Sequence, residues 1–157
     1  MNLPQSIADA VQPLFDALPL EQAMATLAPR RGALPALQAV VTSVLREKAI
    51  ASRPALQSAI WLYVDELDRS HTISQGIEDA TGSYWHGIMH RREGDFSNAH
   101  YWFRRVGEHP AMAALPGYDG HAFVDEAGAA HPEDPAVLVQ RQRDEWANLF
   151  AWCAENH

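Results

Sequence analysis

The sequence is poor in cysteine and in lysine: its 157 residues include one of each, Cys153 and Lys48. A lone thiol excludes an intrachain disulfide and a zinc site built on cysteines. Cys153 has no evident cationic neighbour, so we expect a small core residue rather than a nucleophile. All other basic residues are arginines, whose planar guanidinium suits bidentate contacts with carboxylates and phosphates.

Long apolar runs are also missing. No segment approaches the ~20 apolar residues that a membrane span requires, and the N-terminal segment MNLPQSIADAVQPLF lacks the basic region of a signal peptide. The formal net charge of −8 disfavours nucleic acids and anionic lipids, which attract positively charged proteins. Phosphate-binding loops, dinucleotide fingerprints and nucleophile elbows are absent as well. We therefore expect a cytoplasmic protein that binds neither membranes nor nucleic acids.

What the sequence does contain is the periodicity of helices. Apolar residues recur every three or four positions over most of the chain, and no run alternates with the period of a strand. At 157 residues the chain has the usual size of one domain. We therefore predict an all-α, single-domain helical bundle that comprises residues 1–157. The predicted helices cover residues 4–18, 19–28, 35–50, 54–67, 83–93, 97–106 and 135–155.

Two segments are predicted to be irregular. The segment TISQGIEDATGS is rich in turn formers, and the later segment LPGYDGHAFVDEAGAAHPEDP has room for only a helical turn or two. The helix that begins at Pro54 places Leu56, Ile60 and Leu67 on one buried face. One further turn of that helix puts His71 on the same face, so we expect His71 to point into the core.

The two central helices form a predicted hairpin over about residues 83–106 that resembles a single tetratricopeptide repeat. Gly87 and Ala99 match its small-residue positions, and Gly94-Asp95-Phe96 match its turn. Phe103 matches its large position, and Pro110 lies near its closing proline. No second copy follows at the ~34-residue spacing of such repeats, and an array needs about three units. The resemblance therefore implies close approach of two helices rather than a peptide-binding superhelix. His86 and His90 depart from the pattern, because they replace a leucine and an aromatic residue.

About half of the chain lies in four segments, DELDRSHTISQ, GSYWHGIMHRREGDFSNAHYWFRRVGEHP, HAFVD and EWANLFAWC. Together they resemble a family of uncharacterised all-helical proteins found in bacteria and fungi. The resemblance implies an all-helical fold but no particular reaction. It also implies that His71, His86, His90 and the triplet Arg91-Arg92-Glu93 belong to the family's recognisable motif.

The stretch WHGIMHRREGDF carries the candidate site. On a helix, His86, His90 and Glu93 project from one narrow stripe. Two histidines four residues apart can ligate one divalent metal ion, and a carboxylate one turn further on can act as a ligand or a general base. We therefore predict His71, His86 and His90 as metal ligands, and His90 and Glu93 as catalytic residues. The alternative is a polar seam in which these side chains satisfy one another's hydrogen bonds.

A strip of polar and aromatic residues is predicted beside that stripe. It lies on the second hairpin helix and comprises Asn98, Tyr101, Trp102 and Arg105. Together with Arg92, this strip is predicted to bind a small polar or anionic ligand, because guanidinium groups hold carboxylates and phosphates. The competing interpretation is an exposed ion pair between Glu93 and Arg92 or Arg105, which would contribute little.

Two functional hypotheses follow. The first is a pocket, with or without a divalent metal ion, that binds a small polar or anionic ligand and in which a neutral imidazole serves as general base. The second is a non-catalytic interaction module, in which the hairpin and the five tryptophans dock a partner protein or a second copy of the chain. The sequence leaves open whether the protein is an enzyme.

Overall fold

A computed structural model describes all residues from Met1 to His157. The chain forms eight α-helices and one short 3-10 helix and contains no strand, so the prediction of an all-α bundle is confirmed. None of the helices is both long and apolar enough to cross a membrane. In chain order the elements are α1 (Gln5–Ala17), α2 (Pro35–Val44), α3 (Pro54–Tyr63), α4 (Leu67–Ser74), α5 (Ala80–Glu93), α6 (Phe96–Val106), the 3-10 helix (Pro110–Ala114), α7 (Gly120–Ala130) and α8 (Ala136–Asn156).

Helix α5 lies at the centre of the bundle. All residues from Thr81 to Arg92 are buried, so the helix has no solvent-facing side. Its start is capped by the Asp79 carboxylate, which accepts a hydrogen bond from the backbone N–H of Gly82. Gly94 ends the helix in the left-handed conformation, with φ at 85°. A helix enclosed on all sides is usually apolar all round, yet α5 buries two histidines and two arginines.

Helices α5 and α6 form the predicted hairpin, and the ring of Phe103 on α6 is clamped between two glycines. A Cβ atom at Gly87 would lie 3.1 Å from one edge of this ring, and a Cβ atom at Gly120 would lie 2.4 Å from the other edge. The small residue at Gly87 therefore lets α5 approach α6, as its position in the hairpin predicts. Gly120 in turn lets α7 approach α6, a contact that periodicity in the sequence does not predict.

Two predictions about the first half of the chain are wrong. Residues 19–28 form turns rather than a helix, and Met24 within them has a left-handed backbone with φ at 49°. Helix α2 ends at Val44 instead of continuing to about residue 50. Beyond its end the chain tightens into i→i+3 hydrogen bonds, such as that from the Glu47 N–H to the Val44 carbonyl.

The two segments predicted to be irregular contain helices. TISQGIEDATGS holds the end of α4 and the first turn of α5. The later segment contains α7, whose eleven residues exceed the predicted turn or two. The Asp119 carboxylate caps α7 by accepting hydrogen bonds from the backbone N–H groups of His121 and Ala122. A good cap and the packing of Gly120 on Phe103 compensate for the glycines in this helix.

Replacing Gly120 by alanine is expected to lower the free energy of unfolding by about 1–3 kcal/mol, the usual cost of overpacking a filled site. The added methyl group would press on a ring that Gly87 already confines at its opposite edge. Urea unfolding measures the effect. Gly128→Ala on the same helix is the matched control, because its Cβ would lie at an ordinary 3.4 Å from Phe96. Equal stability of the two variants would show that the Phe103 ring is not confined between Gly87 and Gly120.

Candidate metal centre

Three imidazole rings, those of His71 on α4 and of His86 and His90 on α5, meet where these two helices pack. One ligating nitrogen from each ring lies within 4.8 Å of those of the other two. The ring centroids are 4.6 Å apart for His71 and His86, 5.3 Å for His71 and His90, and 4.8 Å for His86 and His90. His71 thus reaches the pair on α5. We call these three residues the histidine cluster.

His71 arrives at this position by a route that the sequence does not predict. The prediction extends α3 by one more turn, whereas the chain breaks at Asp65, where φ is 64°, and begins α4 at Leu67. A hydroxyl pair then fixes α4 beside α3: Ser58 Oγ lies 3.0 Å from Ser70 Oγ and 3.1 Å from the Ser70 carbonyl. Because His71 follows Ser70 directly, this contact also sets the position of its imidazole.

His86 is the most enclosed member of the cluster. Its ring stacks on the indole of Trp102 with centroids 4.0 Å apart, and Ser74 Oγ lies 3.4 Å from its Nδ1. Burial, together with the nearby His90 and His71, lowers the pKa of His86 to about 3. His86 is therefore neutral at physiological pH, and only a neutral imidazole has a lone pair to offer a metal ion.

His90 is oriented by a carboxylate. Its Nδ1 lies 3.0 Å from Glu93 Oε2, so the ring donates its Nδ1–H to Glu93 and keeps the Nε2 lone pair free. This arrangement is common behind metal-ligating histidines, where it fixes the tautomer and the ring orientation. Glu93 is thus placed as the hydrogen-bond partner of His90, although the sequence also allows it the role of an independent base.

Carboxylates extend the cluster toward solvent. Single ligating atoms of His90, Glu93 and Asp95 also lie within 4.8 Å of one another. Asp95, however, serves as the cap of α6, because its carboxylate accepts hydrogen bonds from the backbone N–H and the side-chain amide of Asn98. Asn98, one of the residues predicted to bind a ligand, is engaged in this cap.

The two arginines predicted to flank the histidines have different surroundings. Arg92 is fully buried, and its guanidinium donates hydrogen bonds to the Leu62 carbonyl at 2.9 Å and to Asp65 Oδ1 at 2.6 Å. Through these hydrogen bonds, Arg92 stabilises the C-terminal end of α3. Arg105 is exposed, and its guanidinium carbon lies 5.3 Å from the ring centroid of Trp102 and 5.9 Å from that of Tyr101.

A cavity of about 780 Å³ adjoins the histidine cluster at Trp102. Trp102 contributes to the wall of the cavity and also stacks on His86. Of the residues predicted to bind a ligand, Trp102 and Arg105 line this cavity, whereas Tyr101, Asn98 and Arg92 do not. The histidines themselves are not part of its wall. The remaining lining residues are Gln75, Ile77, Glu78, Asp79, Ala80 and Ser83.

A buried ion pair lies on the opposite side of α5, and the sequence does not predict it. Arg91 donates hydrogen bonds from both terminal nitrogens to the Glu145 carboxylate, which also accepts one from the Tyr118 hydroxyl. The Arg91 guanidinium carbon lies 3.9 Å from the ring centroid of Phe123. One signal was present in the sequence: Glu145 falls on the apolar stripe of the last predicted helix, where a carboxylate needs a cationic partner.

Replacing His86 by glutamine is expected to make stability less dependent on pH. Unfolded His86 takes up a proton near its ordinary pKa of 6.5, whereas native His86 does so at about 3. Between these values the unfolded state binds one more proton, so the free energy of unfolding falls as the pH is lowered, by up to about 1.4 kcal/mol per pH unit. Denaturant unfolding of the metal-free protein from pH 6.5 to 4 measures this slope.

The glutamine variant lacks this proton, so its slope is expected to be shallower than that of the unmodified protein. His131→Gln is the control, because His131 is exposed. Identical slopes for the unmodified protein and the His86 variant would contradict the low pKa of His86.

Comparison of the chain with protein-family models, with curated proteins and with solved structures finds no match. A function for the chain therefore has to be argued from the positions of its own side chains.

Proposed function

We propose that the protein binds one divalent metal ion of the zinc class through His71, His86 and His90. The observation that carries this proposal is the convergence of three imidazole nitrogens from two helices within 4.8 Å. Imidazole is a preferred ligand of Zn²⁺ and its neighbours in the first transition row. Three protein ligands also leave a fourth position open, which is the pattern of zinc sites that act on a bound molecule.

The hydrogen bonds around the cluster favour a metal over a polar seam. In a seam, neighbouring imidazoles would donate to and accept from one another, but no hydrogen bond joins any two of the three rings. His71 has no side-chain hydrogen bond at all, and His86 has only the long contact with Ser74. A cation between the rings would give their lone pairs a common partner.

Residues behind the ligands support the same assignment. Glu93 holds His90 through Nδ1, and Ser74 approaches Nδ1 of His86. Both contacts leave Nε2 as the free nitrogen of each ring. Such supporting contacts orient metal ligands and raise their basicity. We assign Glu93 this supporting role, and no catalytic step is assigned to His90 or Glu93.

We extend the proposal to a small polar or anionic ligand. Its polar or charged group would meet Arg105, whose guanidinium forms no ion pair within the protein, in the adjoining cavity, where Trp102 and the carboxylates of Glu78 and Asp79 complete the polar wall. An anion or a water molecule would take the open metal position, and a metal of this class lowers the pKa of bound water to about 7. Arg92 is left out of this site, because its guanidinium is occupied in the core.

The alternative, an interaction module anchored by tryptophans, has less support. Trp61, Trp85 and Trp146 are buried in the core. Exposed large apolar side chains are scattered over separate segments rather than gathered into one patch, which is ordinary for a protein surface. These exposed residues are Met1, Leu34, Tyr101 and Val137.

Titration of the metal-free protein with Zn²⁺ is expected to show one tight equivalent that depends on the histidine cluster. Replacing His71 or His90 by alanine removes one of three ligands. We expect the dissociation constant to rise by more than the roughly 10–100-fold that loss of a supporting residue costs. Isothermal titration calorimetry measures it. His131→Ala is the control, since His131 is exposed and lies outside the cluster. Equal affinity in all variants would refute the proposed ligands.

Glu93→Gln is expected to weaken Zn²⁺ binding by about 10–100-fold while leaving the stoichiometry unchanged, because the amide accepts the His90 N–H without adding negative charge. Competition with a chromophoric chelator measures the change. The matched control is Glu108→Gln, an exposed glutamate without a side-chain partner. If both variants bind Zn²⁺ like the unmodified protein, Glu93 has no part in the site.

A further inference from the structure

The cavity beside the histidine cluster carries charges of opposite sign that do not pair with each other. Arg105 lies in the last turn of α6, Glu78 lies just before α5, and both side chains contribute to the cavity wall. Both residues are exposed, and neither forms an ion pair within the protein. One molecule in the cavity could therefore pair with a cation and with a carboxylate at the same time.

The other carboxylate of the wall is already engaged. One oxygen of Asp79 caps α5 by accepting a hydrogen bond from the backbone N–H of Gly82 at 2.9 Å, and the second oxygen lies 2.7 Å from Nε2 of His157. Glu78 has no such partners. It is therefore the carboxylate of this wall that is free to accept hydrogen bonds from a bound ammonium group.

A hydroxyl group is also available to a bound molecule. Ser83 lines the cavity and is only 5% exposed, and its Oγ forms no hydrogen bond with the protein. Ser83 precedes His86 on α5 by three residues, which corresponds to ~4.5 Å along the helix axis. A molecule that contacts this hydroxyl group thus lies beside the histidine cluster.

Apolar surface completes the wall and indicates an organic ligand. Ile77, Ala80 and the indole of Trp102 contribute to it. The cavity volume of about 780 Å³ lies within the ~300–1,000 Å³ of sites for small organic molecules, which combine apolar lining with a few polar groups. An inorganic anion such as phosphate would use Arg105 but would be repelled by Glu78.

We propose that this cavity binds a small amino-carboxylate molecule, a free amino acid or a dipeptide. Its carboxylate pairs with Arg105, whose planar guanidinium suits that group. Its ammonium group pairs with Glu78, and its apolar side chain packs on Ile77 and Trp102. The inference rests on the proposed function, because it specifies the ligand of the same cavity, but none of these contacts involves the metal ion.

The experiment is calorimetric titration of the full chain with L-leucine and with L-leucylglycine at pH 6.5, where both ends of these molecules are charged. Two blocked forms of the dipeptide are the matched ligands: the N-acetyl form lacks the ammonium group, and the C-terminal amide lacks the carboxylate. The free dipeptide is expected to bind about tenfold more tightly than either blocked form, because each loses a charged hydrogen-bond partner. Binding should also shift the indole N–H resonance of Trp102.

The two unblocked probes distinguish the sources of this chemistry. Leucine that binds as tightly as leucylglycine assigns the cavity to free amino acids, and tighter binding of leucylglycine assigns it to peptides.

Charge variants test each end of the ligand separately. Arg105→Gln should remove the preference for the free carboxylate over the amide and keep the preference for the free amine. Glu78→Gln should do the reverse. Arg104→Gln and Glu108→Gln are the controls, because both residues are exposed and neither lines the cavity. Both controls are expected to keep both preferences.

Equal binding of the free and the blocked dipeptides by the unmodified protein, or no binding of any of them, would overturn the proposal without reference to any variant. A His71→Ala variant keeps the two proposals apart, since it should lose the tight Zn²⁺ equivalent and still bind the free probe. Tight Zn²⁺ binding by an unmodified protein that binds neither leucine nor leucylglycine would leave the metal site standing and refute the amino-carboxylate site alone.

Discussion

The structure is organised around a buried helix that is not apolar. Helix α5 is enclosed from Thr81 to Arg92, so partners for its charged side chains have to come from inside the protein. Arg91 meets this constraint through Glu145 on α8, and Arg92 meets it through the end of α3. Breaking such a buried pair at one partner costs about 3–5 kcal/mol, because the remaining charge stays uncompensated. The positions of α3 and α8 are therefore tied to the arginines of α5.

The histidines of α5 lie together without being hydrogen-bonded to one another. The arginines are matched by carboxylates and carbonyls, whereas His86 and His90 face each other and His71 without a hydrogen bond among them. Desolvation keeps His86 neutral. Three imidazole nitrogens in one place form a poor packing core but a suitable ligand set for a cation. The histidine cluster therefore combines the burial of His86 and His90 with three ligating nitrogens in one place.

Much of the site could be predicted from local sequence, because it depends on one helix. The spacing of His86, His90 and Glu93 places them on one face of α5, and Gly94 ends this helix directly after Glu93. His71 points toward the other two histidines as predicted, but it lies on α4 rather than on an extension of α3. The chain breaks at Asp65, whose carboxylate accepts a hydrogen bond from Arg92, 27 residues further along the chain. Periodicity carries no information about such distant contacts. It gives the direction in which Arg92 points on its helix, but not the carboxylate and carbonyl that receive it.

Helix α7 escaped prediction for a related reason. Its sequence is rich in alanine and glycine, so no apolar stripe marks it, and its position depends on the Asp119 cap and on Phe103 of another helix.

The central claim, a metal ion held by three histidines, is tested most directly by crystals of the Zn²⁺-loaded protein and diffraction data on both sides of the zinc absorption edge. The account predicts an anomalous peak about 2.0–2.1 Å from one nitrogen each of His71, His86 and His90. Full-occupancy zinc elsewhere, with no peak between these three rings, would contradict it.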